Sequence, residues 1–174
     1  MSNNWKSFWL YALIALPLRM RGKRPKKQIC APDPKFQSLT IAKFINQIMR
    51  GGKKATAERI IYDCFDFIRV ETGEDPLGLF NKALKNITPD VEVRSRRVGG
   101  ANYQVPYQVK GDRRLSLALR WLIAATNRRK GKNMSYKLKD EIMAASRNEG
   151  EALKFKSNVE KMAEANRAFA HFAR

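Results

Sequence analysis

Histidine is almost missing from this chain: the single copy, His171, is fourth from the C-terminus. A His-centred triad or a His-rich metal site cannot be assembled from it. Cysteine is nearly as scarce. Cys30 and Cys64 stand far apart with no CxxC or Cys/His cluster. That excludes a zinc pattern or a disulfide framework and suits a reducing compartment. Cys64 falls on an apolar helical stripe and reads as a small core residue. Gly51-Gly52-Lys53 lacks the first glycine and the Ser/Thr of a Walker phosphate loop. The acidic residues are scattered, with no evident carboxylate pair. No catalytic residue, metal, cofactor or small-molecule substrate is expected.

A long apolar run is also missing. The longest, Phe8 to Leu18 (FWLYALIALPL), is shorter than the roughly 18 residues needed to span a bilayer. With Lys6 before it, the run resembles a signal-peptide core. No A-x-A site follows, however, and Arg19-Met20-Arg21 comes instead. Residues 1–20 are read as an apolar extension that packs on a neighbouring surface, with no membrane partner. Met20 as the original start of the domain is the alternative.

What the chain has in excess is positive charge: 35 Lys+Arg against 16 Asp+Glu, a net +19 on 174 residues. Such an imbalance speaks about partners, not fold. A pI near 10.3 directs attention to a polyanion. At 44% hydrophobic residues there is still material for one real core and one domain.

The charge is distributed over distinct pieces. Residues 19–27 (RMRGKRPKK) hold six cations and no acid, with Gly22 and Pro25 against any helix. With the rigid APDP turn, residues 21–37 read as an extended basic arm. Residues 38–174 then read as about six helices. Ser38, Thr56, Asp75 (before Pro76) and Asp112 are the expected N-caps of four. A fifth helix is expected after Ser135, and a sixth from Glu151 to about Ala170. One segment breaks this rhythm. Residues 91–109 (VEVRSRRVGGANYQVPYQV) alternate β-formers with polar residues around Gly99-Gly100, predicting a two-stranded hairpin. Pro106 is tolerable there only if its missing N–H faces no partner strand. A lone ribbon is marginal in water, so something outside the helical body should hold its tip.

Arginine forks bind phosphate bidentately and tyrosine stacks on unpaired bases. Arg94 and Arg96 should therefore face anions on one side of the ribbon and Arg97 on the other, with Asn102, Tyr103 and Gln104 opposite. Lys53-Lys54 and Arg113-Arg114 lie at helix starts, where cations oppose the macrodipole unless a phosphate sits among them. Arg128-Arg129-Lys130 and Lys132 lie at a helix end, which the dipole alone would justify.

The motifs VEVRSRRVGGANYQVP (91–106), LALRWLIAA (117–125), MAEANRAFAHF (162–172), GGKKATAERIIYDCF (51–65) and APDPKF (31–36) closely resemble small-subunit ribosomal protein seven, in its bacterial and organellar form. The likeness runs from about Arg21 to the C-terminus. It implies a mainly α fold, a helical body with a protruding β-hairpin. It also implies a structural, non-enzymatic role as primary binder of the 3′ major domain of small-subunit rRNA, nucleating assembly of the head. By the same resemblance, the rRNA contacts fall on Arg21, Lys23, Arg24, Lys26, Lys27, Lys35, Lys53, Lys54, Arg94, Arg113 and Arg114. Arg96, Arg97, Asn102 and Tyr103 approach the exit-site tRNA and the mRNA exit path. Proteins of the head and platform are the implied neighbours. The extension and the ending His171-Phe172-Ala173-Arg174, without the Tyr-Arg-Trp common in bacteria, incline toward an organellar ribosome, mitochondrial before plastid, with a bacterial source as the alternative. Two rivals stand beside this. A DNA-binding protein would concentrate its charge on one recognition helix; a membrane-anchored cationic domain would need residues 1–20.

Overall fold

The computed structural model describes residue 22 and residues 30–173. The expectations for the extension, and for Arg21, Lys23, Arg24, Lys26 and Lys27, lie outside the described residues. Among those residues the chain forms six α-helices, one β-hairpin and a terminal 3₁₀ helix.

Helix α1 (Leu39–Ile48) turns Ile41, Phe44, Ile45 and Ile48 inward at helical spacing. Ser38 occupies its N-cap, but the hydroxyl makes no capping bond. Helix α2 (Lys54–Thr72) starts earlier than Thr56 would have it. Gly51 and Gly52 both adopt positive φ (58° and 74°), so the chain turns there and Lys53 becomes the N-cap. Helix α3 (Pro76–Ile87) begins as expected: Asp75 accepts from the N–H groups of Leu77 (3.2 Å) and Gly78 (3.0 Å). Helix α4 (Asp112–Arg128) takes Asp112 as its first helical residue, and Gly111 (φ 55°) holds the cap position assigned to it. Helix α5 (Met134–Ser146) starts one residue ahead of Ser135, after Asn133. Helix α6 (Glu151–Ala165) stops short of Ala170. The Asn166 side chain donates to the Met162 carbonyl (2.7 Å), competing with the helical ladder. The chain then tightens into a 3₁₀ turn over Arg167–Ala173.

Phe44, Phe65 and Phe80 meet in one aromatic knot, with centroids 5.2 and 5.5 Å apart. Cys64 is fully buried beside them, as its stripe position implied. Helix α5 is the hub, packing on α2, α3, α4 and α6. It also carries Glu141, the one fully buried charge among the described residues. Arg129, just past α4, donates to Glu141 Oε2 through Nε (2.9 Å) and Nη2 (2.6 Å). The backbone N–H of Ala152 donates to Oε1 (2.8 Å). One carboxylate thus joins the end of α4 to the start of α6, where a negative charge also suits the helix dipole. Gly150 must stay glycine: its φ is 105°, and a Cβ would stand 2.8 Å from Glu141 Oε1.

Strands β1 (Val91–Val98) and β2 (Ala101–Gln108) pair antiparallel about Gly99-Gly100, whose φ values of 57° and 90° give the mirror-image turn. Val93 faces Pro106. Counting from the tight turn, that pair exchanges no ladder bonds, so the missing N–H points to the free edge. The ribbon is held in a way the sequence did not suggest. Helix α6 packs on β1, and the terminal 3₁₀ turn lies against β2.

Glu141→Ala should cost about 3–5 kcal/mol, because Arg129 and the α6 N-terminus lose their common partner. Urea denaturation checks this, and a loss below about 1 kcal/mol would remove Glu141 from the role.

Candidate nucleic-acid interface

Lys35 stands on a loop built by Asp33. The Asp33 carboxylate accepts from the N–H groups of Lys35 (3.1 Å) and Phe36 (3.0 Å) through one oxygen, and from the Tyr62 hydroxyl (2.7 Å) through the other. Burial and this bond to Asp33 push the Tyr62 hydroxyl up to about 12. Lys35 itself lies over the Tyr62 ring (4.9 Å) and 3.5 Å from Asp66.

At the base of the ribbon, Glu92 is buried. Arg113 grips it with Nε (3.1 Å) and Nη2 (3.0 Å), and Arg94 on the same strand pairs with its other oxygen. Arg114 donates to the Pro89 carbonyl (3.1 Å) and pairs with Asp90. These arginines start α4, and they bolt the beginning of β1 to it. Lys54 likewise has a partner, Glu58, at 3.6 Å. Cations expected to stand uncompensated at helix starts are thus partly neutralised by the chain itself.

The two faces of the ribbon differ. Arg94, Arg96, Tyr103 and Val105 share the inner face, and Val105 is fully buried. Tyr103 packs on Phe169 and Phe172 with centroids 5.2 and 5.3 Å away, and Arg96 donates to the Phe172 carbonyl. Arg97, Asn102 and Gln104, together with Ser95, lie exposed on the opposite, outer face.

A sharper criterion than position is whether a cation has an acidic neighbour. Among the described residues, Lys53 and Arg97 have none, and neither do Arg50, Lys110, Arg120 and Lys130. The sequence reading missed Arg50 and Arg120, since neither belongs to a cationic run. Arg50 does precede the Gly-Gly turn, which was the available signal. At the end of α4, Arg129 is committed to Glu141, and Arg128 lies 4.3 Å over the Phe155 ring. No group of His, Cys, Asp and Glu among the described residues could hold a metal, and none of their helices is long and apolar enough to cross a membrane.

This arrangement, a helical body with a braced ribbon and unneutralised cations at its turns, coincides with a family match over residues 20–167, to the model described as ribosomal protein S7p/S5e. The chain belongs to the ribosomal protein S7p/S5e family. A protein named small ribosomal subunit protein uS7 from Pseudothermotoga lettingae is 51% identical over 152 residues, 87% of this chain and 98% of the relative. Proteins of the same name from Polaromonas sp. (strain JS666) and Anaeromyxobacter sp. (strain K) are 54% and 53% identical, each over 87% of this chain and 97% of their own length. The S7p/S5e match begins at residue 20, so residues 1–19 precede it.

Tyr62→Phe isolates the Asp33 bond. The folded hydroxyl ionises above the usual value of 10, so its contribution is complete below pH 10 and lost as pH rises through about 12. The stability difference between wild type and Tyr62→Phe should therefore shrink from pH 10 to 12 in denaturant titrations. A difference constant over that range would contradict the assignment.

Proposed function

We propose that this chain is a structural, non-enzymatic constituent of the small ribosomal subunit that binds its rRNA. The observation that carries this is the family match over most of the chain. The cations without acidic neighbours give it a physical basis. Among the described residues they are spread over the α1–α2 turn, the outer face of the ribbon and several helices, α4 among them, instead of one helix. That spread argues against a single recognition helix in a DNA groove.

In finer detail, the target is the 3′ major domain of the rRNA, whose folding the protein nucleates. The chain works in three parts: an extension (1–20), a basic arm (21–37) and a helical body (38–174). Arg21, Lys23, Arg24, Lys26, Lys27 and Lys53 meet phosphates directly. Lys35, Lys54, Arg94, Arg113 and Arg114 also face the rRNA but contribute less, because the acids that place them already neutralise much of their charge. Arg97 and Asn102, with Arg96 and Tyr103 behind them, face the exit-site tRNA and the mRNA exit path. Head and platform proteins adjoin the ribbon and α6. The compartment is the ribosome; an organellar setting, mitochondrial before plastid, is favoured by residues 1–20 together with His171-Phe172-Ala173-Arg174, and a bacterial one by the relatives, which are bacterial.

The full chain should bind a 3′ major-domain transcript with a steep salt dependence, each neutralised phosphate adding about 0.7–0.9 to the log–log slope. Filter binding across salt concentrations measures it. A slope near zero would overturn the reading.

A further inference from the structure

Two adjoining hollows, each of 390 Å³, open along one side of the body and share Gln47, Ile123 and Asn127. Together they form a slot between α1 and α4 that reaches the α1–α2 turn at one end. Its floor is apolar, with Ile60, Ile123 and Met134 half-buried. Its edge carries Arg50, Lys53 and Arg120, three of the cations without an acidic neighbour. No acid lines either hollow. Two carboxamides complete it. Gln47 is anchored through Nε2 to Ser116 Oγ (3.3 Å), while Asn127 makes no side-chain hydrogen bond with any described residue.

We propose that this slot accepts an extruded, unpaired base of the bound RNA. The proposal rests on the rRNA-binding reading above and deepens it. A purely phosphate-binding surface has no use for an apolar floor, and an apolar peptide has no use for three uncompensated cations at the edge. An unstacked nucleotide needs both. Its base faces require a dry surface, its base edge requires paired donors and acceptors, and its flanking phosphates require cations. Asn and Gln carboxamides match base edges because each offers a donor beside an acceptor. Arg50 and Arg120 supply planar guanidinium groups for the phosphates or for stacking on the exposed base face. The volume lies within the range of pockets that enclose small organic ligands.

The full-length protein is tested on a 3′ major-domain transcript as wild type, Asn127→Leu and Ile123→Trp. The first variant removes the edge-reading amide at an exposed position; the second fills the slot without altering charge. Base-specific probing (dimethyl sulfate, kethoxal and carbodiimide, covering all four bases) is read beside hydroxyl-radical cleavage of the backbone. The expected result is one unpaired base protected by wild type and reactive with both variants, under an unchanged backbone footprint. Affinity should fall about tenfold, the low end of what a bidentate amide–base pair contributes, with the salt slope preserved. Base reactivities identical for wild type and Asn127→Leu would overturn the slot while leaving rRNA binding intact. A wild type with no salt-dependent footprint at all would instead overturn the rRNA reading itself. Thermal melting identifies any loss due to misfolding of Ile123→Trp, and Asn127→Leu then decides alone.

Discussion

One buried carboxylate fixes the arrangement of the C-terminal half. Glu141 sits at 0% exposure on the hub helix, where an unpaired charge would be intolerable. Arg129 and the Ala152 N–H at the start of α6 satisfy it together. This determines where α6 begins and how it leans on α4. Helix α6 in turn supports β1, and the 3₁₀ turn that follows it covers β2. The ribbon's place on the body therefore depends on a contact at the other end of α6 as well as on the Arg113 and Arg114 clamp at its base. Gly150 belongs to the same constraint, because only a residue without Cβ lets the carboxylate approach so closely.

The same economy of acids explains the surface. In a chain with 16 acids against 35 cations, the acids that are buried or half-buried take structural posts. Asp33 shapes the Lys35 loop, Glu92 clamps the ribbon base, and Glu141 joins two helices. The arginine partners of Glu92 and Glu141 are positioned by them, and those pairs fix the ribbon and α4, which carry Arg97 and Arg120. Arg113 and Arg114 hold the base of the ribbon that presents Arg97, and the turn between α1 and α2 presents Arg50 and Lys53. Stability and binding are thus divided between two sets of cations that look alike in sequence.

Much of the fold was legible because local chemistry and tertiary packing agree. The apolar stripes, the Asp75-Pro76 start and the Gly99-Gly100 hairpin all appear where the residues imply them. The departures have local causes. Glycines at positive φ moved two helix starts, and Asn166 ended the last helix early. The ribbon's support was invisible because the contact of Tyr103 with Phe169 and Phe172 joins distant parts of the chain. For the site, cationic runs were easy to see, but ion pairing was not. Arg113 and Glu92 are 21 residues apart in the chain, so sequence alone gave no reason to separate Arg113 from Arg97. Arg50 and Arg120 were missed for the converse reason: each is a lone cation whose neighbours in space, not in sequence, form the slot.

The division between positioning and binding cations is tested most directly by the salt slope of rRNA binding in two triple variants. One is Arg50→Ala with Lys53→Ala and Arg120→Ala; the other is Lys54→Ala with Arg113→Ala and Arg114→Ala. The first should lower the slope by about 2–3 with an unchanged melting temperature. The second should melt earlier and keep most of its slope. Equal slope losses in both, with equal melting temperatures, would contradict the account.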